Sequence, residues 1–175
     1  MTSSDLFRDL EAHRVSLIAQ LDALSTETVH ARPASGDWSL AQIVDHLLRI
    51  DRALRLDGPL ASGLIRRTSS ARAAAIRGIL SLPIRIPAPP GAESVLPADD
   101  PDYATVRDAW AEYRGLWRRA LADAPSDCIA FRHPFAGPFV VRDALAFVLA
   151  HHRHHDAQVE RVLKAVTREA EVQVA

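Results

Sequence analysis

Cysteine is almost missing from this chain. Cys128 is the one cysteine in 175 residues, which excludes an internal disulfide framework and suits a reducing cytoplasm. It reads as a small buried hydrophobe rather than a reactive thiol. Excess charge of either sign is missing too. With 21 basic and 22 acidic residues the net charge is −1, so no general attraction to nucleic acid is expected. No apolar run approaches the ~20 residues of a membrane span, so no membrane partner is expected. The first residues, Met1-Thr2-Ser3-Ser4-Asp5, lack the basic and apolar regions of a secretory signal, and a cytoplasmic protein is expected. Repeats of the solenoid kind are absent. The remaining balance, 48% hydrophobic and 25% charged residues, suits one domain with a sizeable core.

What the chain does have is clustered histidine. Four of its 8 histidines fall within His151-His152-Arg153-His154-His155. The flanks, Val140 to Leu149 and Val159 to Val166, carry helical spacing. At ~100° per residue, Ala144, Phe147, Val148, His151, His155, Gln158, Val159, Val162 and Val166 share one face, with Arg153, Asp156 and Glu160 opposite. His151 and His155 thus lie one turn apart in an apolar stripe, while His152 and His154 point to either side. A lone histidine on such a face is ordinarily a hydrogen-bonded core residue. Two of them one turn apart can place two imidazole nitrogens on one metal ion. The run is internal and mixed with helix formers, so it is not a tag. A metal site needs a third ligand from elsewhere.

In chain order, a first helix is expected from about Ser4 to Leu24, capped by Ser3 or Ser4, with Leu6, Leu10, His13, Leu17, Leu21 and Leu24 as its stripe. His13 reads as a core-edge residue rather than a partner of a metal site. Ser25 to Gly36 is a connection. The second helix has a capping box, Ser39 with Gln42, and a hydrophobic staple, Trp38 with Ile43. Leu40, Ile43, Val44, Leu47, Ile50 and Leu54 form its buried face, His46 stands at the edge of that face, and Asp45, Arg49 and Arg52 point to solvent. Asp57-Gly58-Pro59 ends it. Arg66, Arg67, Arg72, Arg77 and Arg85 make a basic stretch that reads as a solvated face, with a short helix over about 68–80. Pro83 to Pro101 holds six prolines and predicts an extended crossover. A third helix starts at Asp100-Pro101, carries Tyr103, Val106, Trp110, Tyr113, Trp117 and Leu121, and stops at Ala124-Pro125. Cys128 to Pro138 is a loop with a short extended piece near Phe131. The fourth helix carries the histidines to about Thr167. The whole predicts an all-α four-helix bundle with a long proline-rich crossover between helices 2 and 3. One domain is expected over 1–170, with a frayed tail over 171–175.

Three features together resemble the DinB/YfiT-like family of metal-dependent four-helix-bundle enzymes. They are Pro33 with Gly36-Asp37-Trp38-Ser39-Leu40 and His46-Leu47, the proline-rich crossover ahead of a Trp/Tyr-bearing helix, and His151-x-x-x-His155 followed by Gln158. The resemblance runs over most of the chain. It implies metal ligands at His46, His151 and His155. The fourth helix departs from it by starting at Val140 or Val141, where a capping Ser or Thr is expected. Family members with a known role resemble thiol-dependent transferases or isomerases using mycothiol, bacillithiol or glutathione.

Three neutral imidazoles leave a position open on a divalent ion, the arrangement of a catalytic site. Zinc is the default by ligand type, and nickel and iron also suit imidazole. The leading expectation is a metal-dependent transferase or hydrolase of small molecules, with a low-molecular-weight thiol as a further cofactor and a homodimer allowed. No carboxylate is recognisable on a core face near these histidines, so no general base is named; His152 and His154 are the candidates for an auxiliary base. The alternative is a non-catalytic metal-binding or interaction bundle whose metal is structural.

Overall fold

Side-chain caps set the helix starts. The computed structural model describes residues 1–54, 70–81, 92–122, 129–133 and 137–174. Helix α1 (Ser3–Asp22) is capped by Thr2, whose hydroxyl accepts from Asp5 N–H while the Asp5 carboxylate accepts from Thr2 N–H. This reciprocal box satisfies two backbone donors at once, so Thr2 displaces the expected Ser3 or Ser4. The helix ends at Asp22, two residues before the expected Leu24. A short helix, α2 (Thr26–His30), follows within the expected connection. Five residues are too few to reveal a helical period in sequence.

Helix α3 (Leu40–Ala53) opens with the expected Ser39/Gln42 box. It is the most enclosed element, with every residue from Leu40 to Leu48 buried. Asp45 is therefore inside, not in solvent as its place on the stripe suggests. Its carboxylate accepts from Ala98 N–H at 2.7 Å and from Arg49 at 2.8 Å, which makes burial tolerable. Helix α4 (Ser70–Leu80) packs on the last helix. Helix α5 (Tyr103–Ala122) starts two residues later than Pro101 allows, because Asp102, not Asp100, accepts from Thr105 N–H. Helix α6 (Val141–Val174) has 34 residues, roughly 51 Å of length, and runs past Thr167 to Val174.

Four helices, α1, α3, α5 and α6, enclose one apolar core that includes Leu10, Leu21, Ile43, Leu47, Trp110, Trp117, Leu145 and Val162. The Tyr103 hydroxyl donates to Asp22 at 2.9 Å and ties α5 to α1. An antiparallel hairpin, β1 (Ile129–His133) and β2 (Gly137–Val140), precedes α6 and packs against it. Its Phe131 and Phe139 rings meet Phe147 of α6 at 5.9 and 5.8 Å. The short extended piece near Phe131 is thus half of a hairpin. Much of the expected proline-rich crossover, with Pro83, Pro87, Pro89 and Pro90, lies outside the described residues, as do Arg66, Arg67, Arg85, Cys128 and the Arg72 side chain. From Ala92 the chain makes a 3-10 turn (Glu93–Val95) and lies along α3. Among the described residues no helix is long and apolar enough to cross a membrane.

Gln42 serves the fold twice. Its Oε1 accepts from Ser39 N–H, and its Nε2 donates to the Ala98 and Asp99 carbonyls at 3.0 Å each. Ser39→Ala is expected to cost about 1 kcal/mol in urea denaturation, the usual cost of a lost cap. Gln42→Ala is expected to cost more, since it also strands two carbonyls beside a buried helix.

Candidate metal centre

Helix α3 delivers His46, and α6 delivers His151 and His155, to one point between the two helices. His46 Nε2 lies 3.1 Å from His151 Nε2, and His155 Nε2 lies 3.3 Å from the same atom. One ring nitrogen of each of the three lies within 4.8 Å of the others. Two nitrogens about 2.1 Å from one ion, at tetrahedral angles, stand about 3.4 Å apart. The separations suit a shared ion.

The outer nitrogens decide which way the lone pairs face. His46 Nδ1 donates to the Val95 carbonyl at 2.6 Å, and His155 Nδ1 donates to Gln158 Oε1 at 2.7 Å. Both rings then carry their proton outside, and both Nε2 lone pairs point inward. A purely hydrogen-bonded triad would need a proton on His151 Nε2. That one N–H would have two lone pairs to satisfy. A divalent cation satisfies all three rings when His151 is also unprotonated at Nε2.

The surroundings favour the neutral rings. Trp38 lies 5.0 Å from His46 and stacks on His155 at 6.4 Å and 15°, while Phe147 flanks His151 at 6.0 Å. Burial is the main cause that pushes the His46 pKa down to about 4, against the Val95 bond that raises it. Burial, then the nearby His46, pushes His155 down to about 3. His151 falls well below its ordinary value, again by burial first and then by His155 and His46.

Trp38 is held in place by the residues just before it. Gly36, at φ +77°, makes the turn in which its N–H donates to Pro33 O at 2.9 Å. Arg161 on α6 stands 3.6 Å from Asp37, and Glu169 on α6 accepts from Ala34 N–H at 3.2 Å. The same helix that carries two of the histidines therefore anchors the loop that covers them. On the other side, the segment from Ala92 to Asp99 is latched to α3 by Gln42, Asp45 and His46 in turn.

The remaining histidines are not part of the triad. His154 Nδ1 donates to Leu80 O at 2.9 Å and joins α6 to α4. His13 Nε2 bonds Asp156 at 2.8 Å, a pairing of α1 with α6 that agrees with a core-edge residue. His152 does not point off to a side. It is fully buried, with Nε2 at 3.2 Å from Asp51 Oδ1. Asp51 is a core carboxylate beside these histidines, where none was expected. It is also fully buried, and besides His152 it accepts from Trp110 Nε1 and faces Arg114 Nη2 at 2.8 Å. Burial alone would raise its pKa; Arg114, His152 and Trp110 outweigh that and hold it below its ordinary value. One signal was available, because Asp51 stands four residues after Leu47 and three before Leu54, on the apolar stripe itself.

A helical bundle with three convergent imidazoles from two of its helices defines a class, bundle proteins whose core offers a divalent-metal site. The family model of the DinB superfamily matches residues 9–159, and the chain belongs to that superfamily. Among solved structures it is similar to YfiT from Bacillus subtilis, described as "a probable metal-dependent hydrolase with an unusual four-helix bundle topology". The two agree with a TM-score of 0.57 at 16% identity, over 93% of this chain and 86% of that one. The likeness establishes the shared four-helix fold. No curated protein matches the chain.

The depressed pKa values fix a pH dependence for the metal-free protein. Unfolded histidines take up protons near pH 6.5, whereas His46 and His155 in the fold resist until about pH 4 and 3. Between those limits the unfolded chain binds more protons, so stability is full above ~6.5 and falls as the pH drops. Each such histidine contributes a slope of up to about 1.4 kcal/mol per pH unit. Urea denaturation of metal-free protein from pH 7.5 to 5 is expected to show this loss, and His155→Gln is expected to make it shallower.

Proposed function

We propose that the protein is a metal-dependent enzyme of small molecules, in which His46, His151 and His155 hold a divalent ion and the reaction is a hydrolysis or a thiol-dependent transfer. The observation that carries this reading is the pair of pinned tautomers. Val95 O and Gln158 Oε1 hold protons on the outer nitrogens and turn two lone pairs towards His151. The fold shared with YfiT, itself described as a probable metal-dependent hydrolase, supports the same reading. Zinc is the first choice for three imidazoles, with nickel and iron next.

A divalent ion held there would supply Lewis acidity, activating a water or a low-molecular-weight thiol near neutral pH. The residues of the chain do the rest. Gln158 and the Val95 carbonyl keep His155 and His46 in the ligating tautomer. Trp38 and Phe147 wall the imidazoles with apolar surface, which lowers the local dielectric and strengthens any charge interaction made there. Asp51 is not available as a general base, because its oxygens already meet His152, Trp110 and Arg114. The net charge of −1 favours a small-molecule substrate over nucleic acid.

The rival, a structural metal in a non-catalytic bundle, calls for a saturated site. Among the described residues the cluster has three members, His46, His151 and His155, and this favours the open site. The reading is tested by assaying ester and amide hydrolysis, and transfer of glutathione, bacillithiol or mycothiol to an electrophile, before and after chelation. Activity is expected to disappear on chelation, to return with about one equivalent of zinc or nickel, and to be absent from His151→Ala. Activity that survives both chelation and His151→Ala would contradict it.

A further inference from the structure

Helix α3 carries His46 and, five residues later, Asp51. Helix α6 carries His151 and His155 and, between them, His152. The same two helices are thus joined twice, once through the triad and once through the His152–Asp51 contact at 3.2 Å. The second joint is wholly interior, since neither Asp51 nor His152 has any exposed side-chain surface. We propose that Asp51, acting through His152, is a positioning residue for the triad, one that sets the rotation of α6 against α3 before any metal binds. This rests on the metal-site reading above.

Three observations carry it. Asp51 is fixed independently of α6, since Trp110 donates to it and Arg114, itself buried, faces it at 2.8 Å. The carboxylate is therefore a rigid acceptor belonging to the α3–α5 pair. His152 is fixed in turn, with its ring 5.5 Å from Trp110 and 5.8 Å from His13. Finally, helical geometry couples the two joints. His151 and His152 are adjacent, about 100° apart around α6, so no rotation of α6 can keep one in place and move the other. A buried carboxylate resists losing a partner, and that resistance holds His151 and His155 towards His46. Ligands held in place beforehand need less rearrangement when the ion arrives, which raises affinity.

The test is zinc affinity, measured by competition with a chromophoric chelator on metal-free protein, together with the melting temperature of the metal-free form. His152→Leu removes the contact while leaving Asp51 its Trp110 and Arg114 partners. It is expected to bind one zinc about tenfold more weakly than the parent. His152→Gln, whose amide can still donate to Asp51, is expected to recover part of the loss. Leu21→Ala, a core truncation on α1, is expected to lower the melting temperature and leave zinc affinity unchanged. If His152→Leu only lowers the melting temperature and binds zinc as tightly as the parent, His152 is a core residue without a positioning role and the proposal is overturned. Should His152→Leu fail to fold, His152→Gln against the parent decides by the same comparison, a weaker affinity supporting the proposal and an equal one overturning it. Failure of the metal-site reading itself looks different, because the parent would then bind zinc no more tightly than His155→Ala.

Discussion

An imidazole taken out of water needs a partner for its N–H and another for its lone pair, or else a cation for the lone pair. Most of this fold can be understood from that constraint. Helices α3 and α6 bring His46, His152 and His155 into the interior, and His151 lies beside them, half-buried. The molecule meets this constraint in two ways. The Nε2 of His152 is given a carboxylate, Asp51, and that of His13 at the edge is given Asp156, while the Nδ1 of each ring has no hydrogen-bond partner among the described residues. The triad receives no carboxylate from the described residues; its outer nitrogens are tied to a carbonyl and an amide, and its inner nitrogens face one another. A carboxylate would have made a salt-bridged core. Neutral acceptors on the outside and lone pairs on the inside are the arrangement that the proposed metal site requires.

The architecture around the triad follows from keeping those outer acceptors in place. The Val95 carbonyl is presented by a segment that Gln42 and Asp45, four residues and one residue before His46, clamp onto α3. Gln158 sits on α6 itself, three residues after His155. Trp38 is brought over the rings by a turn at Gly36 and by two contacts from farther along α6. Each of these groups therefore belongs to the helix whose histidine it serves, or is latched to it.

The bundle and the triad were legible in the sequence because both obey the helical period. Ser39 and Gln42 announce α3, and His151 and His155 recur at four residues in an apolar stripe. His46, at the edge of its own helix's buried face, offers the third imidazole, and the resemblance implies the same residue, although no periodicity connects residues about a hundred positions apart. What was missed has physical reasons. Asp45 and His152 lie off the main apolar stripes of their helices, but α3 is covered all round from Leu40 to Leu48 and α6 is covered on a second side by α5 and α1, so faces that would be wet on an ordinary amphipathic helix are dry here. Asp51 was overlooked for the opposite reason. It lies on the stripe, where a carboxylate is ordinarily absent, and its partners Trp110 and Arg114 come from a different helix. The β1–β2 hairpin escaped because its strands are of five and four residues and the second opens on Gly137 and Pro138.

In the proposed site three imidazoles, and no further protein ligand, hold one divalent ion. X-ray absorption at the zinc edge of the zinc-loaded protein tests it most directly. Three imidazole nitrogens are expected at about 2.0–2.1 Å, with multiple-scattering features of the rings, and at least one further light ligand from solvent. A spectrum with fewer than three imidazoles, or with a fourth protein ligand closing the site, would contradict it.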